Sequence, residues 1–213
     1  MTDSVGLLSD ALESVINLFA AIIALIALTI ALRPPDRNHP FGHYKAEYFS
    51  SVLEGILILI AAVSIGYASI TRIIHPQPID SISLGLGVSA LATVVNLVTS
   101  IILLKAGRRY HSITLEADAH HLMTDVYTTG GVIAGLILVH LTDWLWLDPL
   151  IAIGVAVNIV FTGTRLIGRS VSGLMDEALP QEDLELIHTI LKRHTNSHIQ
   201  YHAVYTRRAS SRN

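Results

Sequence analysis

Three stretches of this chain, residues 14–32, 55–71 and 81–104, contain no Asp, Glu, Lys or Arg. Each approaches the roughly 20-residue length that a helix needs to cross hydrocarbon, and in hydrocarbon a single segment can satisfy its own backbone only as a helix. A soluble helical protein would keep a polar stripe along such segments. Charge is scarce overall, at 15% of the 213 residues, where soluble domains carry about 25%. What charge there is crowds into residues 33–47 and 176–213. The first apolar run does not read as a leader, because Asp10 and Glu13 interrupt its start and nothing basic precedes it.

Apolar patterning marks five spans, residues 5–32, 48–74, 82–104, 113–141 and 144–167, so the expectation is an all-α membrane protein. Basic residues orient it. Arg33, Arg37 and Lys45 follow the first span, Lys105, Arg108 and Arg109 the third, and Arg165 and Arg169 end the fifth. The second connection has only Arg72 at its edge. Positively charged connections stay cytoplasmic, which puts the C-terminus in the cytoplasm and residue 1 outside. An outside start of this kind is expected if one helix precedes the first span. Residues 1–175 then form a transmembrane domain and 176–213 the opening of a cytoplasmic domain. In the latter, Glu182 and Asp183 open a short helix and Lys192, Arg193 and His194 close it, each sign suiting its end of the dipole. Residues 199–206 alternate like a strand. One helix and one strand cannot bury a core, so this domain reads as truncated.

Two spans share a ligand pattern. In the first, Asp10 and Glu13 lead to Asn17; in the fourth, Asp118 and His121 lead to Asp125. Both series step by three and then four residues, which keeps them on one helix face. Glu13 with Asn17 and His121 with Asp125 can each turn two donor atoms towards one ion. Two such pairs on facing helices supply the four ligands of a tetrahedral divalent site. Ionisable residues inside a membrane cost about 2.5–3.5 kcal/mol each on insertion scales and are functional by default. The alternative, that they pair with polar neighbours to pack helices, is hard to hold for two matching faces. Asp10, Asp118 and His120 read as outer support of this site, and His120, about 100° from His121 around the helix, reads equally as packing.

Weaker signals surround it. Ser89, Thr93, Asn96 and Ser100 form a stripe on the third span, suited either to a hydrophilic path or to helix packing. Glu54 lies near the cytoplasmic end of the second span and reads as reaching the interface. Trp144 and Trp146 read as an interfacial anchor. Asp36, His39 and His43 sit close in one loop, which is either a second metal site or simply polar surface. With no cysteine in the chain, any metal must be held by His, carboxylate or amide groups. No basic stripe suggests nucleic acid, and no nucleophile–base pair or metalloprotease spacing suggests an enzyme.

The motifs Gly6-Leu7-Leu8-Ser9-Asp10-Ala11-Leu12-Glu13-Ser14, His39-Pro40-Phe41-Gly42-His43-Tyr44-Lys45-Ala46-Glu47, Ala117-Asp118-Ala119-His120-His121 with Asp125, and Leu174-Met175-Asp176-Glu177-Ala178-Leu179-Pro180 closely resemble the cation diffusion facilitator family of metal/proton antiporters. The resemblance implies a six-span dimer with a cytoplasmic ferredoxin-like α/β domain, of which this chain would hold spans two to six and the truncated start of that domain. It implies that Glu13, Asn17, His121 and Asp125 form the central transport site, and that Asp36, His39 and His43 form a loop site. Lys45 and Asp176 would be a charge pair at the dimer interface, and His202 one ligand of an incomplete cytoplasmic site. The family usually has His or Asp where this chain has Glu13, and Asp where it has Asn17, so the site carries less negative charge.

The function expected is efflux of divalent metal from a bacterial cytoplasmic membrane, by exchange for protons and as a homodimer. The metal is cargo and no cofactor is implied. One imidazole among oxygens suits Zn, and also Fe, Co, Mn or Ni, with Cd a further candidate. The competing expectations are a passive cation channel and a non-transporting fragment of such a carrier.

Overall fold

The computed structural model describes residues 5–75, 84–142, 144, 146–195 and 200–207. Five long helices account for most of them: α1 (Val5–Ala31), α2 (Ala46–Ile74), α3 (Leu84–Tyr110), α4 (Ile113–Thr142) and α5 (Leu147–Leu174), followed by a shorter α6 (Gln181–His194). The long helices run 27 to 30 residues, or about 40 Å at 1.5 Å per residue. Three described helical stretches are long and apolar enough to cross a membrane, Ala46–Ile74, Ala90–Tyr110 and Pro149–Leu174, and Asn17–Ala31 is a shorter apolar one. The fourth predicted span is one continuous helix, Ile113–Thr142, with Glu116, Asp118 and Asp125 in its first half.

The packing is inverted relative to a protein that folds in water. Large apolar side chains such as Phe19, Val63, Leu91 and Phe161 point outwards. The interior holds many small and polar ones, Ala20, Ala24, Ala27 and Ala31 down one face of α1, Ser50, Ser51, Glu54 and Ser69 on α2, and His121 and Thr124 on α4, beside a cluster of larger apolar ones, Tyr48, Ile58, Ile113, Ile159 and Leu166. Lipid tails are as apolar as leucine, so burying leucine gains little there. Close approach of small residues and hydrogen bonding hold the helices together instead. The α2–α5 contact shows this directly. A Cβ on Gly173 of α5 would collide with the Tyr48 ring, and one on Gly55 of α2 would lie 2.5 Å from Ile167.

Helix α4 is central, packing against α1, α2, α3 and α5. Cross-links at one end of the bundle join the start of α2, the α3–α4 turn and the end of α5. Ser112 donates to the Glu47 carboxylate, Thr114 Oγ1 donates to the Glu47 carbonyl at 3.1 Å, and Arg169 pairs with Glu116 at 2.9 Å. Arg108, Arg165, Lys45 and Arg207 belong to this same end.

The end of the chain departs from expectation. Residues 200–207 form no strand, although residues 199–206 alternate. A strand needs a neighbour for its backbone groups, and none exists among the described residues. Residue 199 lies outside them. Helix α6 buries no residue: Leu184, Ile187 and Leu191 are half-covered and Ile190 is exposed. The described residues therefore show a helix here and no α/β layer.

Candidate functional site

Three helices bring polar groups together inside the bundle. Asn17 is half-buried on α1, His121 is buried on α4, and Asp125 is half-buried one turn further along α4. The Asn17 amide donates from Nδ2 to Asp125 Oδ2 at 3.0 Å, and His121 Nε2 lies 2.7 Å from Asn17 Oδ1. Residues 104 and 108 positions apart in sequence thus form one continuous chain of donors and acceptors. Glu13 and Asp10 lie on the backbone of α1, but their side chains are outside the described residues.

Glu54 completes the cluster from α2, and here the sequence reading is corrected. The side chain does not reach the interface: Glu54 is 1% exposed, and its Oε2 sits 3.9 Å from His121 Nδ1. Helix α2 lies against α4 along this stretch, which turns that face inwards. Neither Glu54 Oε2 nor His121 Nδ1 has a hydrogen-bond partner among the described residues. One sequence signal pointed this way: Glu54 is the only Asp, Glu, Lys or Arg between Glu47 and Arg72. Carboxylates gathered beside an imidazole in a low-dielectric interior favour a bound cation, since attraction strengthens there.

The remaining supporting residues separate. Asp118 is half-buried one turn before His121. His120 faces away and lines a cavity of about 840 Å³ with Arg108, Glu116, Asn158, Arg165 and Arg169. Ser100 Oγ donates to the Ala119 carbonyl at 3.1 Å, tying α3 to α4 as a packing residue. Thr93 and Asn96 are half-buried, and the side chain of Ser89 lies outside the described residues. Trp144 and Trp146 are exposed at the start of α5.

In the loop between α1 and α2, Asp36, His39 and His43 place one ligand atom each within 4.8 Å of one another, the only such trio among the described residues. Asp36 Oδ1 lies 3.2 Å from His39 Nδ1, Asp36 Oδ2 lies 3.4 Å from His43 Nε2, and the two rings are tilted 45° to each other with centroids 4.4 Å apart. Gly42, at φ +87°, turns the loop back on itself. Backbone N–H donation from His39 holds the Asp36 carboxyl below its usual range.

Lys45 and Asp176 meet within one chain, at 3.1 Å, and Lys45 also donates to the Leu174 carbonyl at 2.8 Å. Asp176 follows the end of α5 at φ +60°, a left-handed conformation that Asp tolerates better than most residues. The lysine hydrogen bond holds the Asp176 carboxyl below its usual range. Arg207 approaches Asp176 at 3.5 Å and lies over the Phe41 ring at 3.9 Å. His202 is exposed and belongs to no ligand cluster among the described residues.

Comparison with known proteins adds the family context. The cation efflux transmembrane domain family matches residues 1–175. A Synechocystis protein described as an uncharacterized transporter is 48% identical over 211 residues, covering 99% of this chain and 68% of that protein. The cation-efflux pump FieF of Yersinia pestis is 29% identical over 189 residues, covering 87% of this chain and 62% of the pump. FieF of Yersinia pseudotuberculosis matches to the same extent, 29% over 189 residues. The chain therefore spans 62% of the length of these pumps and 68% of the Synechocystis transporter.

Proposed function

This chain belongs to the cation diffusion facilitator family of cation-efflux proteins, and from that premise we propose that it exports divalent transition-metal ions, zinc foremost, across a bacterial cytoplasmic membrane in exchange for protons. The observation that carries the reading is the Asn17–His121–Asp125 cluster, in which two helices turn nitrogen and oxygen atoms towards one point inside an apolar bundle. Glu13, one turn before Asn17 on α1, is the fourth proposed ligand. Together they offer one imidazole nitrogen, two carboxylates and an amide oxygen, a set suited to Zn²⁺ and to neighbouring first-row ions.

Proton exchange follows from the ligand chemistry. His121, Glu13 and Asp125 bind metal only after losing any proton they hold, so loading metal releases protons and releasing metal takes them up. Asp36, His39 and His43 are proposed as a second, exposed binding point at the cytoplasmic surface. The working assembly is proposed to be a homodimer with all five long helices crossing the bilayer and the C-terminus in the cytoplasm, in keeping with the basic residues gathered at one end of the bundle.

The test is flux into proteoliposomes. His121→Ala and Asp125→Ala should each abolish saturable, pH-driven metal uptake while the purified variants keep the wild-type elution profile. Wild-type uptake in both variants would overturn the site. Ohmic flux in the wild type would make the protein a channel.

A further inference from the structure

Glu54 lies outside every motif that carries the family resemblance, yet it is as deeply buried as any charged residue described, at 1% exposure. Its placement is fixed from behind, because Gly55 leaves no room between α2 and Ile167 of α5. It faces the one ring nitrogen of His121 that the Asn17–Asp125 chain does not use.

The hydrogen-bond directions show what that nitrogen must do. An ionised carboxylate only accepts, so the Asn17 NH₂ group faces Asp125 and its carbonyl oxygen faces His121. A carbonyl oxygen also only accepts, so in this arrangement His121 Nε2 carries the ring hydrogen and Nδ1 is a bare lone pair. When a cation binds among His121, Asn17 and Asp125, Nε2 must present its lone pair to the ion instead. The neutral ring then carries its hydrogen on Nδ1, and a buried N–H without an acceptor is costly. Glu54 Oε2 is the atom it meets, 3.9 Å away and unpartnered among the described residues. The gap exceeds the upper end of the N–H···O range by about 0.7 Å, a distance that small side-chain rotations can close.

We propose that Glu54 is the positioning residue of the transport site: its side chain accepts the hydrogen bond from His121 Nδ1 when metal is bound, and so selects the tautomer that offers Nε2 to the ion. Glu54 sits behind the ring rather than on the ion, since the two nitrogens face different ways. Metal-bound histidines commonly hand their second N–H to a carboxylate in this manner, and losing that partner weakens metal binding about 10–100-fold. The inference rests on the efflux reading above, and it adds a third helix, α2, to a site otherwise built from α1 and α4.

The experiment measures Zn²⁺ affinity and flux for the full chain in lipid nanodiscs and proteoliposomes. Glu54→Met removes the acceptor at similar volume and should raise Kd and KM for Zn²⁺ about 10–100-fold, with a smaller change in kcat. Glu54→Gln keeps an acceptor oxygen and should stay within about threefold of wild type. A purely structural role would lower kcat through loss of active molecules at unchanged KM, and that result overturns the proposal. Equal, large losses of affinity in Gln and Met variants overturn it too, since they would make the carboxylate itself a ligand. Glu54→Leu serves as a second apolar variant if Met does not fold. Absent Zn²⁺ binding by the wild type would instead overturn the efflux reading, which separates the two failures.

Discussion

Glu47 and Glu54 stand two turns apart on α2, and each is 1% exposed, but their surroundings differ. Glu47 is tied in on every side: Ser112 donates to its carboxylate, and Ser51 and Thr114 donate to its carbonyl. Its neighbour Lys45 reaches across to Leu174 and Asp176. Glu54, by contrast, has a carboxyl oxygen with no partner among the described residues, facing a histidine nitrogen in the same state. Burial alone therefore does not separate a structural carboxylate from a functional one. The useful criterion is satisfaction. At the end of the helix the polar groups close on one another and staple α2 to α4 and α5, whereas two turns further in Glu54 Oε2 and His121 Nδ1 face each other without a partner among the described residues.

The largest effect is expected at Glu47. Replacing it by leucine strands the buried Ser112 hydroxyl, and leaving one such group unsatisfied costs about 1–3 kcal/mol. Glu47→Leu should lower the thermal unfolding midpoint in detergent, while molecules that remain folded bind Zn²⁺ with unchanged affinity. A shift in affinity without loss of stability would place Glu47 in the transport machinery and erase the distinction.

A smaller effect, of opposite sign, is expected at Asn17. Asn17→Asp keeps the side-chain size and adds a negative charge where relatives of this family usually carry Asp. Zn²⁺ binding should tighten by about tenfold, or roughly 1.4 kcal/mol, and the pH dependence of transport should shift because a titratable group has been added. Unchanged affinity and pH profile together would show that residue 17 does not face the ion, and the site would have to be rebuilt around Asp10 or Asp118.

The smallest effect belongs to the exposed staple at Asp176. Its carboxyl is held below the usual value of 3.8, so the contact with Lys45 stabilises the fold above that pH and is lost as pH falls below it through the folded-state value. Asp176→Asn should be slightly less stable than wild type at neutral pH, with the difference shrinking below about pH 4 and in high salt. Equal pH profiles for the two proteins would remove the pair from the account of how α2 is anchored.

Patterns confined to one segment were legible before any fold was known. Uncharged runs predicted the helices, because hydropathy and length are one-dimensional properties. His121 and Asp125 were paired by helical spacing alone, and Asp36, His39 and His43 lie within eight residues of one another, so their meeting needed only a loop. Meetings between helices were less legible, because most faces of a spanning helix are apolar whichever neighbour they touch. The sequence suggested that Asn17 and Asp125 share a site, but only the packed bundle places Asn17 between Asp125 and His121. By position in the sequence Glu54 belongs to an interface; in the bundle it is buried, with α2 packed closely on α5 at Gly55 and Gly173 and also against α4. Residues 200–207 carry a strand-like alternation and form no strand, because sheet hydrogen bonds need a second strand. Helices carry their backbone hydrogen bonds within themselves, so the sequence determined that they form; which of their polar atoms meet, and which are left without a partner, was decided by tertiary packing.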